Sequence, residues 1–366
     1  EQGRFKMKLT DREWKAFYIS DEKENGVFKL RASLSGIDKN KLLDSNELSI
    51  PYITRSDFNN GVSLFVGKEQ KDKFKIDNGN VITIGLDTQT VFYQPYPFYT
   101  GQNIQVLYND HLDKYVAKFI IPLLKMQVSK LSWGGNGATL GRLKRMQLLL
   151  PISDDGQPDY TFMEMFIKER EAQKRKEYLD YCKEQLKIIG GGYNLIPLAD
   201  KQWKAFFIGG DNGLFEIYSG KRLTVANMTE GECPFIGATD SNNGITNWVG
   251  NRNETYDSNV LGVNYNGSVV ENFYHPYHCI FSDDVKRLHL KECEDNKFAL
   301  LFFSRLILMQ KAKYTYGYKF NGTRMNRQKI LVPITDSGEP DYEYMEKYSR
   351  NLLRDKIQRY IDYAAN

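Results

Sequence analysis

The sequence predicts an α+β protein: two repeated mixed α/β domains separated by two long helices that pair as an antiparallel coiled coil. Three observations predict it. The string DREWKAFYIS at Asp11–Ser20 returns as DKQWKAFFIG at Asp200–Gly209, 189 residues later in a chain of 366. Three later strings repeat in the same order: IPYITRSDFNNGV (Ile50–Val62) as CPFIGATDSNNGI (Cys233–Ile245), FYQPY (Phe92–Tyr96) as FYHPY (Phe273–Tyr277), and LLLPISDDGQPDY (Leu148–Tyr160) as ILVPITDSGEPDY (Ile330–Tyr342). The spacing narrows only to 181 at Phe92 and Phe273, so insertions are few and belong in loops. Finally, each copy ends in a long stretch without Gly or Pro, rich in helix formers.

Each copy opens on Trp-Lys-Ala-Phe. In the first, Val27–Ala32, Ser63–Val66, Val81–Leu86 and Ile104–Leu107 read as strands by β-branched and aromatic enrichment; in the second, Leu214–Tyr218, Cys233–Ala238, Val260–Asn264 and Ser268–Phe273 do the same. Leu112–Ser129 and Asn296–Gln310 are apolar and long enough for a buried helix in each copy. A basic turn, a short strand (Leu148–Ile152 in the first copy) and a Gly/Pro turn follow. In the helical stretch Thr161–Lys187, Met165, Ala172, Leu179 and Leu186 fall seven apart, with Cys182 three after Leu179, which makes a narrow apolar seam on a charged helix. Gly190, Gly191 and Gly192 supply its stop. The second stretch, Tyr342–Ala364, places Met345, Tyr348, Leu352, Ile357, Tyr360 and Ala364 three to five apart, with Asp341 as its N-cap. A protruding helix with an apolar seam cannot bury it alone, and two in one chain can bury each other; the alternative is that each folds back on its own module. The expected domains are 1–157, a spacer helix 158–190, 191–339 and a C-terminal spacer helix 340–366.

Composition excludes several classes. A net charge of +4 is far from a histone-like balance. Cys182, Cys233, Cys279 and Cys293 form no CxxC pair, which suits reduced thiols in a cytoplasmic protein. No stretch approaches the roughly 20 apolar residues that span a bilayer, and residues 1–10 hold no signal-peptide core, so no membrane is expected. His275, His278 and Cys279 in HPYHC are metal-ligand types, but the first copy has Gln94, Pro97 and Phe98 there. Two core-lining histidines and a buried thiol are the expectation, with no metal. Asp159 and Asp341 follow Pro as in some nucleases, yet both begin helices, where capping explains them. The chain lacks the string Asn/Asp-Pro-Pro-aromatic of an amino-methyltransferase and any nucleophile motif, so no catalytic residue is expected.

Module, long helix, module, long helix is a plan that resembles the specificity subunits of type I restriction-modification systems, over the full length of the chain. The modules look most like the target-recognition domains of the type IIB, BcgI-like branch. The residues that carry the resemblance are FEIYSGKRLTVANMTEGECPFIGATDSNNGI (Phe215–Ile245) and the pattern R-x-x-R-x-x-x-L/I-x-P-I, present as RLKRMQLLLPI (Arg142–Ile152) and within TRMNRQKILVPI (Thr323–Ile334). In the first module GKRLT has no clear counterpart, and RASLSGIDKNKLLDSNE occupies its space. The resemblance implies a non-catalytic subunit in which each module reads one half of a bipartite double-stranded DNA target. The helices would set the spacer and dock DNA methyltransferase subunits, with a restriction endonuclease subunit as a further partner. No cofactor is implied for the chain itself; S-adenosylmethionine, Mg²⁺ and, where used, ATP would belong to the partners. The competing classes are a two-module enzyme with an unrecognised site and a tandem protein- or glycan-binding protein.

Phosphate contacts are expected from cations that recur in both modules, since any docked duplex requires backbone neutralisation whatever its bases. Arg142 and Arg145, with Lys144 between them, correspond to Arg324 and Arg327. Asn59 and Asn60 correspond to Asn242 and Asn243; each Asn-Asn-Gly is a type I′ turn former, and Asn can also take adenine bidentately. Base readers are expected to differ between modules. The candidates are the loop Lys68–Asp77 (Lys71, Lys73) with Asn78 and Asn80, the loop Asn251–Asn259 with Arg252, and Lys221 and Arg222 of GKRLT. The Gly-rich strings Trp133–Arg142, with Asn136, and Thr315–Arg324, with Lys319, flank the basic turns, and their backbone can approach phosphate closely.

Overall fold

The computed structural model describes residues 6–132, 135–315 and 317–365; Trp133, Gly134 and Tyr316 of the two Gly-rich strings lie outside the described residues. The chain divides into two compact units, residues 1–178 and 179–366. In the first unit the elements are β1 (Trp14–Ser20), β2 (Gly26–Ala32), β3 (Ile50–Ile53), β4 (Val62–Val66), β5 (Val81–Gly85), β6 (Val91–Gln94), β7 (Tyr99–Thr100), β8 (Ile104–Tyr108), α1 (Lys114–Val128), α2 (Leu140–Leu143) and β9 (Gln147–Pro151), after which α3 (Tyr160–Ile189) begins. The repeated Trp-Lys-Ala-Phe string is itself β1. It lies between β9, antiparallel with Trp14 opposite Pro151, and β2, parallel.

The six-stranded sheet has the order β6-β5-β8-β2-β1-β9, and a second sheet has the order β4-β3-β7. All five residues of β5 are buried, which explains why VITIG reads as a continuous apolar run rather than an alternating one. Asp113 caps α1, its Oδ1 accepting from the N–H groups of Tyr115 (2.8 Å) and Val116 (2.7 Å). Phe119, Ile120 and Leu124 then pack into one core with Ile82, Leu107 and Leu148 from the sheet.

The second unit repeats the order: β10 (Trp203–Phe207), β11 (Phe215–Ser219), β12 (Glu230–Ile236), β13 (Ile245–Val249), β14 (Val260–Asn264), β15 (Asn272–His275), β16 (Ile280–Phe281), β17 (Val285–Leu290), α4 (Lys297–Leu308), α5 (Gly322–Arg327), β18 (Lys329–Pro333) and α6 (Tyr342–Ala365). Its large sheet is β11-β17-β14-β15 with the pair β10-β18 joined to it by a short parallel contact, Phe207 opposite Gly213, where Leu214 N donates to Phe207 O (3.0 Å) and Phe215 N to Ile208 O (2.8 Å). That contact is shorter than the pairing of β1 with β2 because Ile208-Gly209 stands where β1 has Ile19-Ser20, and the chain turns away at Gly210, φ +80°. The expected strand Ser268–Phe273 is displaced to Asn272–His275, because Gly267 and Val270 adopt positive φ and form turns before it.

Both long helices begin where the sequence places them. Asp159 caps α3 through the N–H of Phe162 (2.8 Å), and Asp341 caps α6 through that of Tyr344 (2.9 Å). The heptad seam fails over the first part of α3: Met165 is 55% exposed and Ala172 is exposed. Phe162, Met163, Phe166 and Ile167 form the inward face there, joining the core of the first module, with Phe166 edge-on to Phe119 at 5.7 Å. The base of α6 does the same through Met345 and Tyr348, the latter edge-on to Phe302 at 5.7 Å. Farther along α3, Cys182 and Ile189 are buried and Leu179 and Leu186 half-buried. The guanidinium of Arg354 donates to Gly190 O (2.7 Å), and the Asn351 amide exchanges two hydrogen bonds with the Tyr193 backbone, tying the end of α3 to α6 within the second unit.

Candidate DNA interface

Each Asn-Asn-Gly string forms the tight turn its sequence demands. Asn59 and Asn60 both have positive φ, as do Asn242 and Asn243, and the i→i+3 bond closes from Gly61 N to Phe58 O and from Gly244 N to Ser241 O, both 2.9 Å. The second Asn of each pair is used internally. Asn60 Nδ2 donates to Tyr93 O (2.8 Å), and Asn243 Nδ2 to Tyr274 O (3.4 Å) and the Tyr277 hydroxyl (2.8 Å). Asn59 and Asn242 are exposed on the turns. Asn80 is also structural: at φ +57° it donates to Leu112 O (2.7 Å) and accepts from the Tyr93 hydroxyl (2.8 Å). Asn259 is its copy, donating to Asp295 O and accepting from Tyr274, both 2.7 Å. This Asn–Tyr latch in both modules was invisible to a reading that placed the two Asn in variable polar loops.

The basic turns divide into clamps and exposed cations. Arg142 donates to Gly137 O (2.9 Å) and Gly135 O (2.6 Å); Arg324 donates to Lys319 O (2.7 Å) and stacks on Tyr318 at 3.8 Å. Both arginines therefore hold a carbonyl five residues upstream and fix the Gly-rich strings. Lys144 pairs with Glu22 at 2.6 Å. Arg145 and Arg327 are exposed, and their side chains make no hydrogen bond or ion pair with any described residue; Asn136 is exposed as well. In the second module Tyr314 and Tyr318 stack at 5.7 Å and, with Arg324 and Arg327, line a polar recess of about 510 Å³. The aromatic run around Tyr314 was the signal that could have found it.

The module-specific loops are anchored differently. In the first, Phe74 and Ile76 pack inward, leaving Lys71, Lys73 and Asn78 exposed, with Lys73 over the Phe74 ring at 5.0 Å. Asp77 is fully buried; it accepts from Arg31 and from Leu34 N, yet burial outweighs the guanidinium and pushes its carboxyl above the usual range. In the second, burial likewise pushes against the charge of Asp257, but hydrogen bonds from His289 (3.0 Å) and Arg287 (2.7 Å) prevail and hold it at about 2. His289, bonded to Asp257 and to Asp295 (2.6 Å), is raised to about 9. Lys221 pairs with Glu254 at 2.8 Å, Arg222 lies 3.9 Å from Asp283, and Arg252 stacks over Tyr256 at 4.3 Å.

HPYHC divides. His275 is buried and held near 4 by burial, and burial pushes the Cys279 thiol up. His278, expected in the core, is exposed and stacks on Tyr256 at 4.9 Å, because the strand-ending Pro276 turn carries it outward. No group of three metal-ligating side chains occurs among the described residues, and no described helix is long and apolar enough to cross a membrane.

A repeated framework with conserved geometry and unlike loops is the design of a two-headed recognition protein, and comparison with known proteins agrees. The type I restriction modification DNA specificity domain matches residues 21–179 and again 200–361. The chain belongs to that family, with one copy of the domain in each module. It is 42% identical over 336 residues to the specificity subunit S.BcgI of a type II restriction enzyme of Heyndrickxia coagulans, covering 90% of this chain and 93% of the relative. Its fold is similar to the crystal structure of a type I restriction-modification S subunit from M. genitalium, with a TM-score of 0.54, 16% identity, and 98% and 94% of the two chains covered.

Proposed function

We propose that this chain is the DNA-recognition subunit of a restriction-modification complex, each module reading one half of a bipartite duplex target. The observation that carries the reading is the element-by-element repeat in which turns, latches and Arg clamps coincide while the loops at Lys68–Asp77 and Asn251–Asn259 differ. Recognition of two unlike half-sites by one architecture requires that division. Arg145 and Arg327, equivalent and exposed, serve as phosphate contacts. Arg142 and Arg324 position the Gly-rich strings beside them. Methylation and cleavage belong to partner subunits, which would hold S-adenosylmethionine, Mg²⁺ and any ATP.

In the same reading α3 and α6 pair antiparallel beyond their module-bound bases and set the spacer between the half-sites. At 1.5 Å per residue the 30-residue α3 is roughly 45 Å long, on the order of one turn of DNA between half-site centres. Two measurements test the proposal. Duplex binding by the assembled complex should weaken steeply with salt, and mapping of methylated sites in cells carrying the complex should return a bipartite motif. Salt-insensitive binding, or a contiguous motif, contradicts it. Adding one heptad to both helices should lengthen the spacer and leave both halves unchanged.

A further inference from the structure

The loop between β13 and β14 uses nearly all of its polar side chains on contacts within its own module. Asn251 accepts from Thr229 N (2.8 Å) and donates to Asn227 O (3.0 Å). Asn253 accepts from Thr255 N (2.9 Å) and its hydroxyl (2.6 Å). Thr255 accepts from Phe281 N (3.0 Å), Glu254 pairs with Lys221, and Asp257 with Arg287. One residue stands apart. Arg252 is exposed and donates no hydrogen bond to any described residue, yet it is not loose, because its guanidinium lies 4.3 Å from the centre of the Tyr256 ring. Tyr256 is backed in turn by His278, 4.9 Å away and within 7° of parallel. A guanidinium held over an aromatic face by its charge keeps its N–H donors available.

We propose that Arg252, held over the Tyr256 ring, reads a guanine in the half-site of the second module by paired hydrogen bonds to O6 and N7. The inference rests on the DNA-recognition reading above and assigns one base to one residue. A forked donor matches the two adjacent acceptors that guanine alone presents in the major groove. Pre-ordering by the stack reduces the side-chain entropy lost on contact. The first module has no such guanidinium: Ile76 and Pro97 replace Tyr256 and His278, and its loop offers the ammonium groups of Lys71 and Lys73, which lack a forked donor. The guanine contact is therefore a property of one half-site.

The test is methylated-motif mapping in cells expressing the complete complex with the wild-type chain, Arg252→Gln, Arg252→Lys, Tyr256→Phe or Tyr256→Leu. Arg252→Gln and Arg252→Lys should relax the motif at one G·C position of one half, with methylation of the cognate site slowed roughly 10- to 100-fold. The other half should be unchanged. Tyr256→Phe keeps the stack and the motif; Tyr256→Leu should relax the same position partially. If an Arg252 variant methylates too little to map, competition by duplexes carrying each base pair at each position supplies the same readout. A wild-type half-site without guanine, or a loss uniform over all sequences as for a phosphate contact, overturns the assignment. A wild-type complex with no bipartite motif would instead overturn the DNA-recognition reading itself.

Discussion

Asp77 and Asp257 occupy the same place in the two modules, each closing its specific loop through a pair of backbone hydrogen bonds, to Phe98 in one and Cys279 in the other. Their cations come from different strands. Arg31 lies on β2 opposite Val106 of β8, whereas Arg287 lies on β17, the counterpart of β8, opposite Tyr218 of β11. The cation has moved one strand across while the carboxylate stayed. The second module adds His289, so Asp257 faces two cationic donors and Asp77 faces one that is partly exposed. One duplicated frame can thus keep its geometry while its electrostatics diverge, which frees neighbouring positions for different sequence preferences.

That difference can be broken most sharply by removing the charge from each carboxylate. Asp257→Asn leaves Arg287 and His289 facing a neutral partner in a mostly buried site, and should destabilise the second module by about 3 kcal/mol. Asp77→Asn removes a carboxylate that burial already disfavours and retains an acceptor for Leu34 N; its effect should stay within about 1 kcal/mol. Denaturation of each variant followed by hydrogen exchange in each module distinguishes them, and equal losses would remove the asymmetry.

The Asn–Tyr latches should behave alike. Asn80→Ala and Asn259→Ala each delete two hydrogen bonds and place Ala at positive φ, for about 2 kcal/mol apiece. An effect in one module only would show that the repeat is not energetically equivalent there.

pH sharpens the comparison further. A His289 pKa raised to about 9 contributes stability that is fully present below its unfolded value near 6.5 and is lost as pH rises through about 9. The second module should therefore weaken between pH 7 and 10, while Tyr108, at the equivalent place in the first, is pushed above its ordinary value near 10 by its hydrogen bond to Asp110 and stays neutral over that range. Acid acts oppositely on the carboxylates. Asp257 loses its stabilising contribution as pH falls from near 3.8 toward 2, whereas protonation of Asp77, whose pKa is raised, relieves a burial penalty. Module-resolved hydrogen exchange against pH checks both signs.

The smallest expected effects concern DNA. Arg145→Ala and Arg327→Ala should each weaken duplex binding evenly across sequences and lower the salt slope by about 1, measured by titration at several salt concentrations. A changed motif with either variant would make it a base reader instead.

The repeat, the apolar helix of each module, the Asn-Asn-Gly turns and the Asp159 and Asp341 caps were legible because their causes are local and the repeat doubled each signal, whereas strands such as Ile50–Ile53, Val91–Gln94 and Val285–Leu290 were not read. The latches were not, since Asn80 and Asn259 bond to carbonyls 32 and 36 residues away. The exchange of Arg31 for Arg287 was hidden for a related reason: equivalence by alignment cannot register a cation that changes strand. The seven-residue spacing from Met165 misled because the base of α3 obeys its own module's core, which selects Phe162, Met163 and Phe166. In the functional regions, Arg145 and Arg327 could be named from sequence, but only coordinates separate them from Arg142 and Arg324, which clamp loop carbonyls.

The most direct measurement of the central claim uses a chain in which residues 21–151 are replaced by residues 210–333, giving two copies of the second module on unchanged helices. Methylated-motif mapping of the complex should return a target whose two halves are the same, with the spacer of the wild type. A motif that retains the original first half would show that the modules do not each carry their own sequence preference.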